Sequence, residues 1–285
     1  MKFNLNVIGN IIGILLMING FLMLMAVPFG IYFNENSFIG ILISSFVNIA
    51  VGFQCYHLTK NTRNKDLKRR DGFLIVTFSW LVMSLFGMLP YIITGQIPSL
   101  TDAFFETVSG YTTTGATILN NIESLDHGIL FWRSLTQWIG GMGIIVLAVA
   151  ILPFLGIGGM QLFVAEAPGV SLDKLQPRIK ETAKRLWIIY ISFTVLLFFI
   201  LYAEGMSLFD AVNHAMTTFA TGGFSTKDAS IGYFDSPLIH YTIIVFMMIS
   251  ATNFTLIYFG LKLNFKKVFY NEEFRIYFLF VLIIR

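Results

Sequence analysis

The stretch Ser109-Gly110-Tyr111-Thr112-Thr113-Thr114-Gly115-Ala116-Thr117 decides how this chain is read. It carries no charge, is rich in hydroxyl groups and glycine, and lies between two hydrophobic segments long enough to span a bilayer. Irregular backbone at membrane depth is tolerated only where protein buries it or where it lines a watery path. A ring of carbonyl oxygens can replace the hydration shell of a cation. These residue types predict a selectivity filter whose oxygens come from the main chain.

The surroundings agree. Hydrophobic residues make up 56% of the 285 and charged residues 12%, and mean hydropathy is +0.74. A soluble domain with a charged surface does not reach these values, so the fold class is an all-α integral membrane protein. The single cysteine, Cys55, cannot form an internal disulfide. At about 20 apolar residues per span, the spans are Val7–Tyr32, Phe38–Leu58, Phe73–Thr94, Phe131–Phe154, Leu186–Ala203 and Leu238–Leu261. A seventh apolar segment runs from Phe274 to Ile284. The first span is too long for the apolar core of a secretory signal and reads as a retained anchor.

Charge sets the orientation. Lys60, Arg63, Lys65, Lys68, Arg69 and Arg70 crowd one loop, read as cytoplasmic by the positive-inside rule rather than as a nucleic-acid patch. The connector Leu155 to Arg185 is a second cytoplasmic segment, and the helical spacing of apolar residues over Leu172–Trp187 predicts a helix lying on the membrane surface. Lys262, Lys266 and Lys267 mark a third such loop, which leaves the N-terminus cytoplasmic. The external segments carry Lys227, with Arg133 at the outer end of the fourth span. Their acids, Glu35, Asp102, Glu106, Glu123, Asp126, Glu204, Asp210, Asp228 and Asp235, predict a mouth that concentrates cations.

The deciding stretch has a partner. Ser99-Leu100-Thr101-Asp102-Ala103 repeats 108 residues later as Ser207-Leu208-Phe209-Asp210-Ala211, and the same offset places Tyr111 on Phe219, Thr113 on Thr221 and Gly115 on Gly223. It also superposes the third span on the fifth and the fourth on the sixth. Each loop opens with a serine cap and an acid in the first turn, predicting helices over roughly Leu100 to Gly110 and Leu208 to Thr218. At about 16 Å each they enter a membrane without crossing it. Their C-terminal ends then favour a dehydrated cation. The repeating unit is span, short helix, filter loop, span. Successive units share one orientation, which separates them from the inverted repeats of many secondary transporters.

With these motifs the chain resembles the Trk/Ktr/HKT superfamily of potassium transporters, and its two leading spans are similar to the TrkH branch. The resemblance implies carbonyl-lined filter positions at Thr112, Thr113, Thr114 and Gly115, and at Ala220, Thr221, Gly222 and Gly223. It implies that the hydroxyls of Thr113 and Thr221 line the innermost site. It further implies K⁺ uptake across a bacterial inner membrane and no enzymatic activity, with K⁺ as cargo and no cofactor. The implied partners are a second copy in a homodimer, a nucleotide-binding, TrkA-like regulatory subunit on the cytoplasmic side, and the lipid bilayer. In this superfamily serine at the first-loop glycine accompanies Na⁺ transport, so Gly115 favours K⁺. A full member has four units, so the chain reads as an N-terminal part with two units and the start of a third. The organisation is then a hairpin and basic loop over 1–70, a first unit with connector over 71–185, a second unit over 186–265, and the start of a third over 266–285.

Two alternatives stay open: a two-unit subunit that dimerises to form one pore, and a secondary transporter. Other features carry plainer readings. Asp210 and His214 have metal-ligand spacing on a helix, but capping explains Asp210. Gly140, Gly141 and Gly143 read as small residues that admit a close neighbour, the filter itself. His57 and His240 read as interfacial groups at span ends.

Overall fold

A computed structural model describes residues 4–60, 69–143 and 179–283. The part of the basic loop at 61–68, the inner portion of the fourth span from 144, and the connector through 178 lie outside the described residues. Helices α1 (Leu5–Met23), α2 (Val27–Tyr32) and α3 (Ser37–Thr59) form the N-terminal hairpin. Next come α4 (Arg69–Gly87), α5 (Leu89–Ile93), α6 (Leu100–Tyr111) and α7 (His127–Gly141). The second unit has α8 (Ile179–Ala203), α9 (Leu208–Phe219), α10 (Pro237–Ser250) and α11 (Phe254–Leu261). The short α12 (Phe265–Phe269) and then α13 (Glu272–Ile283) follow.

Four spans are long and apolar where the sequence predicts them, Leu5–Tyr32, Ser37–Thr59, Asp71–Ile93 and Lys184–Ala203, and the most apolar 18 consecutive residues of each have mean hydropathies of 2.3, 1.9, 2.0 and 2.4. Their outer faces present bare apolar side chains such as Phe21, Phe46, Phe78 and Phe199, as a hydrocarbon surround allows. The hairpin packs tightly because Gly13 and Gly52 face each other. A Cβ on Gly13 would lie 2.7 Å from the Gly52 carbonyl oxygen. Two apolar cores result. One joins the hairpin to the first unit through Met23, Ile41, Tyr111 and Trp132, and the other fills the second unit through Tyr190, Leu197, Phe219 and Phe246. Helix α9 packs against both α7 and α8, which joins the two units.

Two predicted elements are corrected. The sixth span, Leu238–Leu261, is not one helix: Pro237–Ser250 and Phe254–Leu261 are bent by 107°. The polar run Ser250-Ala251-Thr252-Asn253 causes the break, and the Asn253 side chain caps the next helix by accepting from Thr255 N at 3.0 Å. The predicted surface helix over Leu172–Trp187 lies partly outside the described residues. From Ile179 it is continuous with the fifth span as α8.

Candidate functional site

Both short helices form as expected. The Ser99 hydroxyl accepts from Asp102 N at 3.4 Å and the Ser207 hydroxyl from Asp210 N at 3.0 Å. Each helix runs one residue beyond expectation, to Tyr111 and Phe219. The chain then turns back with the same backbone geometry in both units. Thr113 has φ 54° and Thr221 φ 56°, while Gly115 has φ 76° and Gly223 φ 81°. Left-handed backbone is uncommon for a β-branched residue, and finding it 108 residues apart at threonine makes the repeat a structural fact.

The hydrogen bonds repeat too. Thr112 N, Thr113 N and Thr114 N donate to the carbonyls of Val108, Gly110 and Ser109 at 2.8, 3.0 and 3.0 Å. Ala220 N, Thr221 N and Gly222 N donate to those of Met216, Thr218 and Thr217 at 3.0, 3.0 and 2.9 Å. The loop amides thus satisfy the last carbonyls of each short helix. The loop carbonyls are left over: among the described residues no donor reaches those of Thr113, Thr114, Gly115, Thr221, Gly222 or Gly223. Left-handed residues alternate with other backbone along each loop. Thr112 and Thr114 are exposed and share a hydroxyl contact of 2.8 Å. Thr113 and Gly115 are half-buried. Ala220 and Gly222 are buried, whereas Thr221 and Gly223 are exposed. The two loops meet directly, since a Cβ on Gly115 would strike the Gly222 carbonyl. A groove of about 640 Å³ opens beside the second loop, lined by Thr221, Gly222, Gly223, His214, Met247 and Tyr277 among others.

Around each loop sits a clasp. Both oxygens of Glu106 accept from the Thr117 hydroxyl, at 2.9 and 3.0 Å, and one also accepts from Ile118 N at 3.2 Å. One repeat later His214 Nε2 meets the Ser225 hydroxyl at 3.0 Å. His214 Nδ1 faces the Asp210 carbonyl at 2.8 Å, which can only accept, so Nδ1 carries the proton and Nε2 accepts from Ser225. Arg133 balances the first clasp. Its Nε donates to Glu106 at 2.6 Å, its Nη1 donates to the Ser225 carbonyl at 2.8 Å, and its guanidinium lies 3.7 Å from the Phe224 ring centre. Tyr111 is anchored from the hairpin, donating to Asn19 Oδ1 at 2.7 Å, and Asn19 in turn donates to Asn48 Oδ1 at 3.0 Å.

The comparisons with known proteins agree on one lineage. The TrkH family model, described as a cation transport protein, matches residues 38–283. The chain belongs to the TrkH family. It is similar to the Trk system potassium uptake protein TrkH of Escherichia coli K12, with 51% identity over 236 residues, 81% of this chain and 48% of that protein. It is also similar to TrkH of Halomonas elongata, with 46% identity over 255 residues, 89% of this chain and 53% of that protein. The crystal structure of the potassium transporter TrkH from Vibrio parahaemolyticus matches with a TM-score of 0.83 at 40% identity, covering 99% of this chain and 57% of that one. The chain spans about half the length of the curated relatives it matches. Family and fold together make it an all-helical membrane protein of a transport family.

Within this TrkH-family chain, two expectations about charge are corrected. Glu106 does not face an open mouth: it is fully buried because Arg133 and Thr117 neutralise and solvate it in place of water. Arg133, in the second turn of α7, is likewise buried. Glu35 pairs with His127 at 2.6 Å, so it too is partly engaged, while Asp102, Glu123, Asp228 and Asp235 remain exposed. His214 is a clasp residue, and no cluster of metal-ligating side chains forms among the described residues. The glycine reading holds for Gly140 and Gly141. A Cβ on Gly140 would strike the Tyr111 carbonyl, and one on Gly141 would lie 2.8 Å from Ala220. Gln137, Asn19 and the Arg133–Glu106 pair escaped the sequence reading. Arg133 had left a signal, an ionisable residue inside an apolar run, which marks a site until its partner is found.

Proposed function

We propose that this chain contributes part of a potassium-uptake pathway, with K⁺ passing dehydrated along the carbonyls of Thr112–Gly115 and Ala220–Gly223. The observation that carries the reading is the pair of loops with matching left-handed positions, amides spent on the short helices and carbonyls left without donors. Such oxygens supply the field a stripped cation needs. The printed role of the Escherichia coli and Halomonas relatives, potassium uptake, supports the choice of cargo. The hydroxyls of Thr113 and Thr221 are assigned to the innermost site. The division into hairpin (1–70), first unit with connector (71–185), second unit (186–265) and start of a third (266–285) is part of the proposal.

The membrane is assigned as the bacterial inner membrane with the N-terminus in the cytoplasm, following the basic loops. The word system in the relatives' names supports further subunits. A second copy of the chain and a nucleotide-binding, TrkA-like cytoplasmic subunit are the partners we assign. The test is Gly115→Ser, measured as K⁺ and Na⁺ uptake in cells lacking their own potassium uptake. The added oxygen and Cβ, forced against the Gly222 carbonyl, are expected to weaken discrimination of K⁺ from Na⁺. An unchanged ratio of the two uptakes overturns the filter assignment.

A further inference from the structure

Helix α7 belongs to the first unit but grips the second loop, and abuts the first, along one face. Arg133, Gln137, Gly140 and Gly141 recur at helical spacing on that face. Arg133 holds Glu106 and the Ser225 carbonyl, as above. Gln137 Oε1 accepts from Phe224 N at 3.0 Å. Phe224 N and the Ser225 carbonyl, at the exit of the second loop, are therefore held by one helix of the other unit.

Gln137 sits where the loops meet. It is fully buried, and the bond from Phe224 fixes its oxygen, which leaves Nε2 as a donor with no acceptor among the described residues. A Cβ on Gly222 would strike this amide, and one on Gly115 would strike the Gly222 carbonyl and lie 3.8 Å from Nε2. One carboxamide is thus wedged against the closest approach of the two loops. The second unit offers no counterpart. Carrying the offset of 108 forward places Tyr241 and Val245 at the corresponding positions, and they are 69% and 51% exposed.

We propose that Gln137, together with Arg133, is a positioning residue that sets the spacing of the two filter loops and so tunes ion discrimination, without lending an oxygen to the path. The inference rests on the filter reading above. A carbonyl cage discriminates between cations by where its oxygens stand and how strongly they are held. The second loop is held at Phe224 N and Ser225 O, so a change at either grip moves its carbonyls relative to those of Thr113 to Gly115.

The experiment compares Gln137→Met, Arg133→Lys and Gly115→Ser in cells lacking their own potassium uptake, reading the KM for K⁺, the inhibition constant of Na⁺ and the amount of protein in the membrane. Met keeps the volume of Gln137 and removes the acceptor for Phe224. Lys keeps a charge for Glu106 and loses the fork that also reaches Ser225. Each is expected to lower the preference for K⁺ over Na⁺ roughly three- to tenfold, the effect of one or two lost buried hydrogen bonds. A fall in both uptakes with an unchanged ratio, tracking protein amount, is what a purely structural role produces, and it overturns the inference. Arg133→Lys carries the test if Gln137→Met fails to reach the membrane. If Gly115→Ser shifts the ratio and the α7 variants do not, the inference falls and the filter reading stands. If Gly115→Ser leaves the ratio unchanged, both fall.

Discussion

The two units share a backbone and differ in what holds it. Each has a serine-capped short helix, a left-handed threonine and a left-handed glycine at the same offset. Each has a clasp from the seventh residue of that helix to the loop. The first clasp is an ionised pair buried with Arg133, whereas the second is a histidine with a serine and no ion pair. The short helices also end differently: Tyr111 is tied by a hydrogen bond to the hairpin, while Phe219 is packed among Tyr190 and Phe193 with ring centres 5.3 and 5.6 Å away. The main-chain path tolerates either chemistry behind it, provided the loop is fixed.

The largest expected effect comes from breaking the charged clasp. Glu106→Ala leaves Arg133 buried without its counter-charge and is expected to cost about 3–5 kcal/mol of stability. His214→Ala removes neutral hydrogen bonds and a buried ring that meets Phe234 edge-on at 5.4 Å, but strands no charge, and is expected to cost less, about 1–3 kcal/mol. Thermal unfolding of the purified protein in detergent ranks the two, and equal losses would erase the distinction between the clasps.

The glycines give a second contrast. A Cβ at Gly115 meets the Gly222 carbonyl, whereas one at Gly223 meets nothing within 4 Å. Gly223→Ala therefore bears only the left-handed penalty of about 1–2 kcal/mol. Gly115→Ala is expected to lose more uptake than Gly223→Ala at matched protein amount. Equal uptake would mean that the two loops do not touch at Gly115.

Making the first unit resemble the second is a smaller change. Tyr111→Phe removes the bond to Asn19 and is expected to destabilise by about 1–2 kcal/mol, read as a lower melting temperature. No change would show that the hairpin does not brace the loop through this bond. The caps come last. Ser207→Ala is expected to cost about 1 kcal/mol, and Ser99→Ala less, since its bond is 3.4 Å rather than 3.0 Å. The order of melting temperatures checks it.

Local signals explain which parts were readable from sequence. Four of the spans and both serine caps depend on residues close together in the chain, and the 108-residue repeat on two such local patterns matching, and the structure reproduces them. The braces depend on distant pairs: Glu106 with Arg133, Arg133 with Ser225, Tyr111 with Asn19. No spacing announces such a pair, so Glu106 read as a solvated acid until Arg133 was seen beside it. The break in the sixth span was legible in principle. Ser250-Ala251-Thr252-Asn253 places a capping residue inside an apolar run, and overall hydropathy outweighed it.

Gly115 and Gly222 meet main chain to main chain. A separation governed by side chains can drift in steps of a methyl group, and selection can follow such steps. Where two peptide planes already touch, no smaller residue exists to substitute and any larger one collides. Substitution at this point of the molecule has no graded steps to offer, and the side chains behind it, Gln137, Arg133 and the clasps, are where size and polarity can be changed by degrees.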